Sequence, residues 1–498
     1  MPRLSLTDQQ KGAVSSQCER LFIEAAPGAG KTTVAAERYG VVRFNGSSAL
    51  QRSVSAVSFT RSATGELHRR VRNRWGSSAL NWPHHVTTID ALICTIVGHL
   101  LHQGVIRWPG GHTSLQVLDD WRGHRGYRWL GAGNYRRVVI VDASGLVTSA
   151  GRAVTIPRPG IGNRKDFHWH LGAGRCTHEE VRDVLAAILK VPARRQAVGE
   201  FLASSMAHFV VDEVFDANPL DLAIVDLACE AGITSTLVGD PWQALYGFRG
   251  ARPDLVPKLL GACGFETLEL SQSFRFQSGI MQDLSTALRQ SQPVSLEGTG
   301  ECDVLLASQW DDLWQGPAHV LPVSFGRTTN RTDAAAIVLL DQLVSARFGH
   351  SAIFLPEALV LLDLDPDAYR SQGSAVLGGV LGVLTASSEN PPTRALEALR
   401  DAMKELGAPR RPRAGSAEAE QRQLDRLTAL SLRARSGGTL IPGMTIHQAK
   451  GREWDRVGVR LSGSQRGRLA AGLDRDIEGD RALYVALTRA RYEVRAVA

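Results

Sequence analysis

Cysteine is scarce in this chain, with six residues (Cys18, Cys94, Cys176, Cys229, Cys263 and Cys302) spread over 498 positions. No two stand as a C-x-x-C pair, which excludes the usual zinc spacing and any dense disulfide framework, and a reducing compartment is the simple expectation. Long apolar runs are missing too. The longest, Ala375 to Ala386, holds three glycines and is too short to span a bilayer. Residues 1–8 carry no apolar core of the kind a secretory signal needs. Neither is there an internal repeat. What is left is a chain expected in the cytoplasm, with no membrane partner.

At this length one core does not suffice, and several domains of ordinary size are expected. A composition of 43% hydrophobic and 21% charged residues is that of a soluble globular protein. The formal charge of +7 is a modest basic excess that suits a nucleic-acid partner without requiring one.

Short β-branched runs alternate with helical patterns over residues 1–95 and 205–270, as in Val54–Phe59, Phe209–Val211 and Ser235–Val238. Each run ends in polar, glycine or charged residues, as the carboxyl ends of parallel strands do where ligands bind. This is the pattern of one α/β domain split by an insertion. A second α/β unit occupies 271–330 and resumes over 441–498. The insertion at 96–204 carries Trp108, Trp121, Trp129 and Trp169 among many Gly, Arg and His residues, with a strand at Val138–Val141 and a helix at Glu179–Leu189. Its tryptophans are either the core of a small subdomain, their commoner use, or a surface for a single strand by stacking plus charge. The insertion at 331–440 is Ala/Leu-rich, with helices expected over Asp333–Phe348 and Arg394–Leu406 and an exposed basic linker over Pro409–Ser416.

The segment Ala25-Ala26-Pro27-Gly28-Ala29-Gly30-Lys31-Thr32 follows the apolar run Leu21–Ile23 and precedes a helical stretch from Thr33 to Val42. Strand, glycine-rich loop and helix form the setting in which backbone N–H groups and a helix N-terminus surround phosphate oxygens. Lys31 reaches the β- and γ-phosphates and Thr32 binds Mg²⁺ in such a loop; Ala25 stands where the common pattern has Gly. The strand Val210–Val211 ends in Asp212-Glu213, an acidic pair in which one carboxylate holds Mg²⁺ and the other positions the attacking water. The strand Ser235–Val238 leads into Gly239-Asp240-Pro241-Trp242-Gln243, then Tyr246, Phe248 and Arg249. Gln243 is suited to sense a γ-phosphate while the aromatics and Arg249 face a nucleic acid, and a packed aromatic loop is the other reading.

Taken together the motifs resemble those of UvrD/Rep/PcrA-type helicases of superfamily 1A, in family order over nearly the whole chain. That resemblance implies two RecA-like P-loop domains, each interrupted by an insertion subdomain: 1–95 plus 205–270 as 1A, 96–204 as 1B, 271–330 plus 441–498 as 2A, and 331–440 as a reduced 2B. It implies ATP and Mg²⁺ as cofactors. Leu6–Val14 resembles the Q motif, with Gln10 reading adenine; Ala26, Pro27, Gly28, Ala29, Gly30, Lys31, Thr32 and Thr33 bind phosphate. Ser58–Ala63 and Thr87–Leu92 resemble the DNA-touching motifs Ia and Ib, which implies DNA contacts for Phe59, Thr60 and Thr88. Asp212–Asn218 resembles motif II and Gly239–Ala251 motif III. Leu270–Arg275 resembles motif IV, implying that Phe274 stacks on adenine and Arg275 reaches the γ-phosphate. Met444–Asp455 resembles motif V, with Thr445 and His447 on DNA and Glu453 on the nucleotide side. Asp480–Arg491 resembles motif VI, with Arg489 as a second arginine on the γ-phosphate. Lys31, Arg275, Arg489 and Mg²⁺ together supply the positive charge that a transferring phosphoryl group needs.

Two positions depart from the family pattern. Phe215 stands in motif II where relatives carry Gln, the residue that links the ATP site to the strand side, and Asp90 stands in motif Ib where many carry His. The family implies an ATP-dependent helicase or translocase moving 3′ to 5′ on single-stranded DNA or a tailed duplex. Phe215 and the reduced insertion at 331–440 motivate an alternative: a DNA-activated ATPase that senses DNA ends or regulates a partner nuclease in DNA repair or phage defence. Gly174–Glu180 resembles a segment of helicases that accompany a nuclease, including those of Gabija-type antiviral systems.

Overall fold

The computed structural model describes residues 5–45, 52–118, 130–131, 135–148, 153–155, 164–298, 300–326, 330–387, 389–413 and 416–497. Contacts divide the chain into two compact units, Met1–Arg275 and Phe276–Ala498.

The first unit is built on six strands: β1 (Arg20–Ala25), β2 (Ser53–Ser58), β3 (His85–Thr88), β4 (Met206–Asp212), β5 (Thr234–Gly239) and β6 (Glu266–Leu270). They lie in the order β6-β1-β5-β4-β2-β3 and every pair is parallel. The near-continuous apolar character of β1 and β4 follows from burial on both faces. The register places Ala25 beside Leu270, Glu24 beside Gly239, Asp212 beside Val238 and Ser58 beside Thr88. The loops that follow these strands therefore open on one carboxyl edge of the sheet, where open α/β sheets bind ligands.

Within the 96–204 insertion the helix His178–Ile188 buries Val181, Val184, Leu185 and Ile188, the face expected from their spacing, and a Thr177/Glu180 capping box starts it. The expected strand at 138–141 is short, Ile140–Val141. The tryptophans divide. Trp108 is fully buried and its indole N–H donates to Leu171 O at 2.8 Å, whereas Trp169 is 60% exposed with the Arg175 guanidinium 5.4 Å from its ring. Trp121 and Trp129 lie outside the described residues.

The second unit carries β7 (Val304–Ala307), β8 (Val320–Pro322), β9 (Ile441–Thr445), β10 (Trp454–Arg460) and β11 (Ala490–Val497), in the parallel order β8-β9-β7-β10-β11. Its 331–440 insertion is helical: Arg331–Phe348, Leu355–Leu362, Pro366–Thr385, Pro391–Glu405 and Ala417–Ala434. The apolar stretch 375–386 lies almost wholly within the third of these, and among the described residues no helix is long and apolar enough to cross a membrane. One buried cation ties this insertion to the sheet. Arg433 donates to Val320 O (2.6 Å), Trp314 O (2.9 Å) and Ala429 O (3.0 Å), and stacks 4.8 Å from the Trp314 ring. Burial lowers its pKa to about 10. Carbonyl oxygens, rather than a carboxylate, satisfy it.

The residues 271–275 were grouped by sequence with the second domain, but by their contacts they belong to the first unit. Ala26 N–H donates to Leu270 O and Phe274 N–H donates to Gly28 O, both at 2.9 Å, so this segment is laid over the glycine-rich loop. Arg275 is thus the last residue of the first unit, and Arg489 belongs to the second.

Candidate functional site

The glycine-rich loop turns at Gly28 (φ 74°) and Gly30 (φ 84°), a region that L-residues with a side chain rarely adopt. Space also demands glycine. A Cβ at Gly28 would stand 2.5 Å from Arg275 Cβ, and one at Gly30 would stand 2.9 Å from Gln10 Nε2. The helix Lys31–Asn45 begins directly after the loop, so its unpaired N–H groups face whatever the loop encloses.

Gln10 braces this loop. Its carboxamide accepts from Thr7 N–H (3.1 Å) in a capping box and donates to Ala29 O (3.0 Å). Gln9 does the same for the covering segment, accepting from Ser271 N–H at 3.1 Å. Phe274 in that segment is 47% exposed, and Arg275 beside it is half-buried. An exposed aromatic fixed next to a phosphate loop is placed to stack on a base.

Lys31 is buried, and its Nζ lies 4.0 Å from Glu213 Oε1. Glu213 itself occupies the left-handed region (φ 61°, ψ 45°) immediately after β4, a costly conformation for a residue with a side chain and one that recurs at functional turns. Asp212 before it is fully buried, and neither carboxylate oxygen has a hydrogen-bond partner of good geometry; the Thr32 hydroxyl and the Glu213 backbone are near enough to favour its charged form weakly. Burial first, then the Glu213 charge, pushes its pKa up to about 7, against the pull of Lys31. An orphaned, buried carboxylate beside a hydroxyl is an arrangement a divalent cation would relieve. Among the described residues no group of three acidic, His or Cys side chains could hold a metal. One carboxylate and one hydroxyl are a donor set that would fit Mg²⁺, which takes most of its ligands from water and phosphate rather than from a protein cage.

On the neighbouring strand end, Asp240 caps the turn Pro241–Gln243. It accepts from Trp242 N–H (3.1 Å) and from Gln243 Nε2 (2.7 Å), all three residues being buried. Asp240 was missed in the sequence reading, although Asp-Pro-x-Gln after a strand is a helix-start signature. A few residues on, Tyr246 and Phe248 meet edge to face at 5.9 Å, with the Arg249 guanidinium 5.0 Å and 5.6 Å from their rings. Phe248 and Arg249 are exposed, and the three form one aromatic and cationic surface.

Thr60 follows β2, and Thr88 is the last residue of the adjacent β3. Each caps a helix, Thr60 Oγ1 accepting from Ala63 N–H (3.1 Å) and Thr88 Oγ1 from Ala91 N–H (3.2 Å). Two helix N-termini therefore open on the same edge, while Phe59 is partly buried against the core. Phe215 is buried in that core too, its ring against Phe22. Asp90 is bonded to Arg182, a contact the sequence reading did not foresee.

In the second unit Thr445 is buried at the end of β9 and precedes the turn Ile446–Ala449 without a side-chain capping bond; His447 in that turn is half-buried. Glu453 is exposed just before β10. Arg489 is almost fully buried, with its Nε donating to Val485 O at 3.0 Å.

Residues 6–108 and 174–261 match the UvrD/REP helicase N-terminal domain, and residues 401–494 match the UvrD-like helicase C-terminal domain. These matches span more than half of the chain. The chain belongs to the UvrD/Rep helicase family. UvrD-like relatives include DNA helicase II of Escherichia coli, 23% identical over 290 residues that make up 56% of this chain and 39% of that protein. DNA helicase II of Haemophilus influenzae is 22% identical over 289 residues, 55% of this chain and 39% of its own length. DNA helicase IV of E. coli is 24% identical over 334 residues, 57% and 47%. The matched part of this UvrD/Rep chain thus spans less than half the length of these relatives.

Proposed function

We propose that this chain is an ATP-dependent DNA helicase or translocase that moves 3′ to 5′ on single-stranded DNA. The observation that carries the reading is the Asp212 carboxylate, buried and unpartnered at the end of β4, in a family whose members include DNA helicases II and IV.

In this reading Asp212 and Thr32 hold Mg²⁺, which neutralises phosphate charge when bound. The N–H groups of the loop Ala26–Gly30 and the first turn after it (Lys31, Thr32, Thr33) receive the phosphates, with Lys31 charged among them. Glu213 orients and deprotonates the attacking water, and its left-handed backbone fixes the carboxylate for that task. Gln243, held by Asp240, senses the terminal phosphate. Gln10 and Phe274 take the adenine and Arg275 stabilises the charge that develops on the γ-phosphoryl group; Glu453 and Arg489 of the second unit keep the nucleotide roles that the family resemblance implies.

In the first unit Phe59, Thr60, Thr88, Tyr246, Phe248 and Arg249 take the strand-contacting roles; in the second, Thr445 and His447 keep the strand role that the family resemblance implies. Helix N-termini suit backbone phosphates and the exposed ring of Phe248 suits a base, so affinity is sequence-tolerant and salt-dependent. The apolar surroundings of Phe215 favour a second reading, a DNA-activated ATPase that depends on a partner such as a nuclease for unwinding. Strand displacement by the purified chain separates them: unwinding of a 3′-tailed duplex supports the helicase, and DNA-stimulated hydrolysis without unwinding supports the second reading.

A further inference from the structure

The departure at Asp90 has a partner. Arg182, on the inserted helix His178–Ile188, donates through Nε to Asp90 Oδ1 (2.6 Å) and through Nη1 to Asp221 Oδ1 (2.9 Å). The two acids come from different places on the core. Asp90 lies in the first turn of the helix Ile89–His102, two residues after the Thr88 cap. Asp221 lies in the first turn of the helix Pro219–Glu230, where its other oxygen accepts from Asn218 N–H at 3.0 Å while Asn218 caps that helix. Asn218 closes the segment that begins at Asp212.

The bridge is largely withdrawn from water: the Asp221 side chain is 4% exposed and that of Arg182 22%. Burial alone would lower the pKa of Arg182; Asp221 and Asp90 outweigh it and keep the guanidinium charged. Separating Asp221 from Arg182 would leave a buried charge uncompensated, while Asp90, 34% exposed, engages the same cation from the more open side. A fork-shaped guanidinium with both arms engaged also fixes direction as well as distance.

We propose that Arg182 is a positioning residue that couples strand binding at the Thr88 turn to the Asp212–Asn218 turn of the ATP site, the link that Phe215 lacks the polar group to make. The inference rests on the reading of the chain as a DNA-stimulated ATPase. Arg182 touches neither reactant in this account. It holds the first turns of two helices in one relation, so a shift of one on DNA binding is imposed on the other.

The test is steady-state ATP hydrolysis across a titration of single-stranded DNA, for the wild type, Arg182→Gln, Arg182→Lys and Asp90→Asn, with the thermal midpoint of each. Arg182→Gln is expected to keep DNA-free turnover within about twofold and to lose about fivefold or more of the stimulation at saturating DNA. Arg182→Lys, which keeps the charge, recovers part of the loss. Asp90→Asn removes one arm at a half-exposed acid and decides the matter if Arg182→Gln fails to fold. A folded variant with wild-type maximal stimulation overturns the proposal, and so does a loss seen only as a higher half-saturating DNA concentration. Absence of stimulation in the wild type would overturn the ATPase reading itself, and the bridge with it, before any variant is compared.

Discussion

The ring of Phe215 meets the ring of Phe22 edge to face, their centroids 6.1 Å apart. Gly239 leaves the room for it, since a Cβ there would stand 2.8 Å from Phe215 Cδ2. At the position where the family resemblance implies a glutamine, this chain has a core residue.

Phe215→Gln is therefore a packing change first. It removes an edge-to-face pair and buries an amide among apolar neighbours, at a cost of about 2–4 kcal/mol. Urea unfolding should show that loss, and unwinding per ATP should not rise. A gain in unwinding at unchanged stability would show that Phe215 tunes coupling rather than fills space.

Asp212 should give the stability of the metal-free protein a distinct pH dependence. Its ordinary value is 3.8 and burial pushes it up to about 7. Below the ordinary value both folded and unfolded states hold the proton. Between the two values only the folded state does, so rising pH favours unfolding across that window, and the penalty is complete above it. The thermal midpoint of the wild type relative to Asp212→Asn should fall from about pH 4 to about pH 7, and Mg²⁺ with nucleotide should flatten the fall. A constant difference between the two proteins across this range would refute the assignment.

Phe248 and Arg249 share a surface but bind by different physics. Phe248→Ala should weaken single-strand binding by about 1–3 kcal/mol and leave its salt dependence unchanged. Arg249→Ala should lower the slope of log affinity against log salt by about 0.7–1, the loss of one phosphate contact. Fluorescence anisotropy at several salt concentrations measures both. Identical slopes in all three proteins would remove Arg249 from the strand site.

Arg433 carries the attachment of the 331–440 insertion to the second sheet. Arg433→Met keeps most of the volume but leaves the carbonyls of Val320 and Trp314 without this donor. The second unit should lose about 2–4 kcal/mol, read by calorimetry of the full chain. No change in the transition would show that water replaces the guanidinium at no cost.

The phosphate loop and the strand ends around it were legible because their signals are local. Glycines at Gly28 and Gly30, a lysine at the helix start, and acids or caps directly after apolar runs each announce a turn in a few residues. Of the five helices of the second insertion two were legible from their apolar spacing, those expected over 333–348 and 394–406. The Asp90–Arg182 pair was not, because its members stand 92 positions apart and an exposed aspartate looks the same as a buried one in sequence. Composition could not separate Trp108, packed inside, from Trp169, left outside. Nor could it group Ser271–Arg275 with the first unit, since that depends on backbone bonds to Leu270 and Gly28 that leave no residue signature.

The central claim is that Lys31, Thr32, Asp212 and Glu213 form a hydrolytic site driven by a DNA strand. Its most direct test is steady-state ATP hydrolysis by the wild type and Lys31→Ala, with and without single-stranded DNA, alongside strand binding by both. The account predicts turnover stimulated by DNA in the wild type, no turnover in Lys31→Ala, and nearly equal strand binding. Turnover that survives Lys31→Ala, or that ignores DNA, would contradict it.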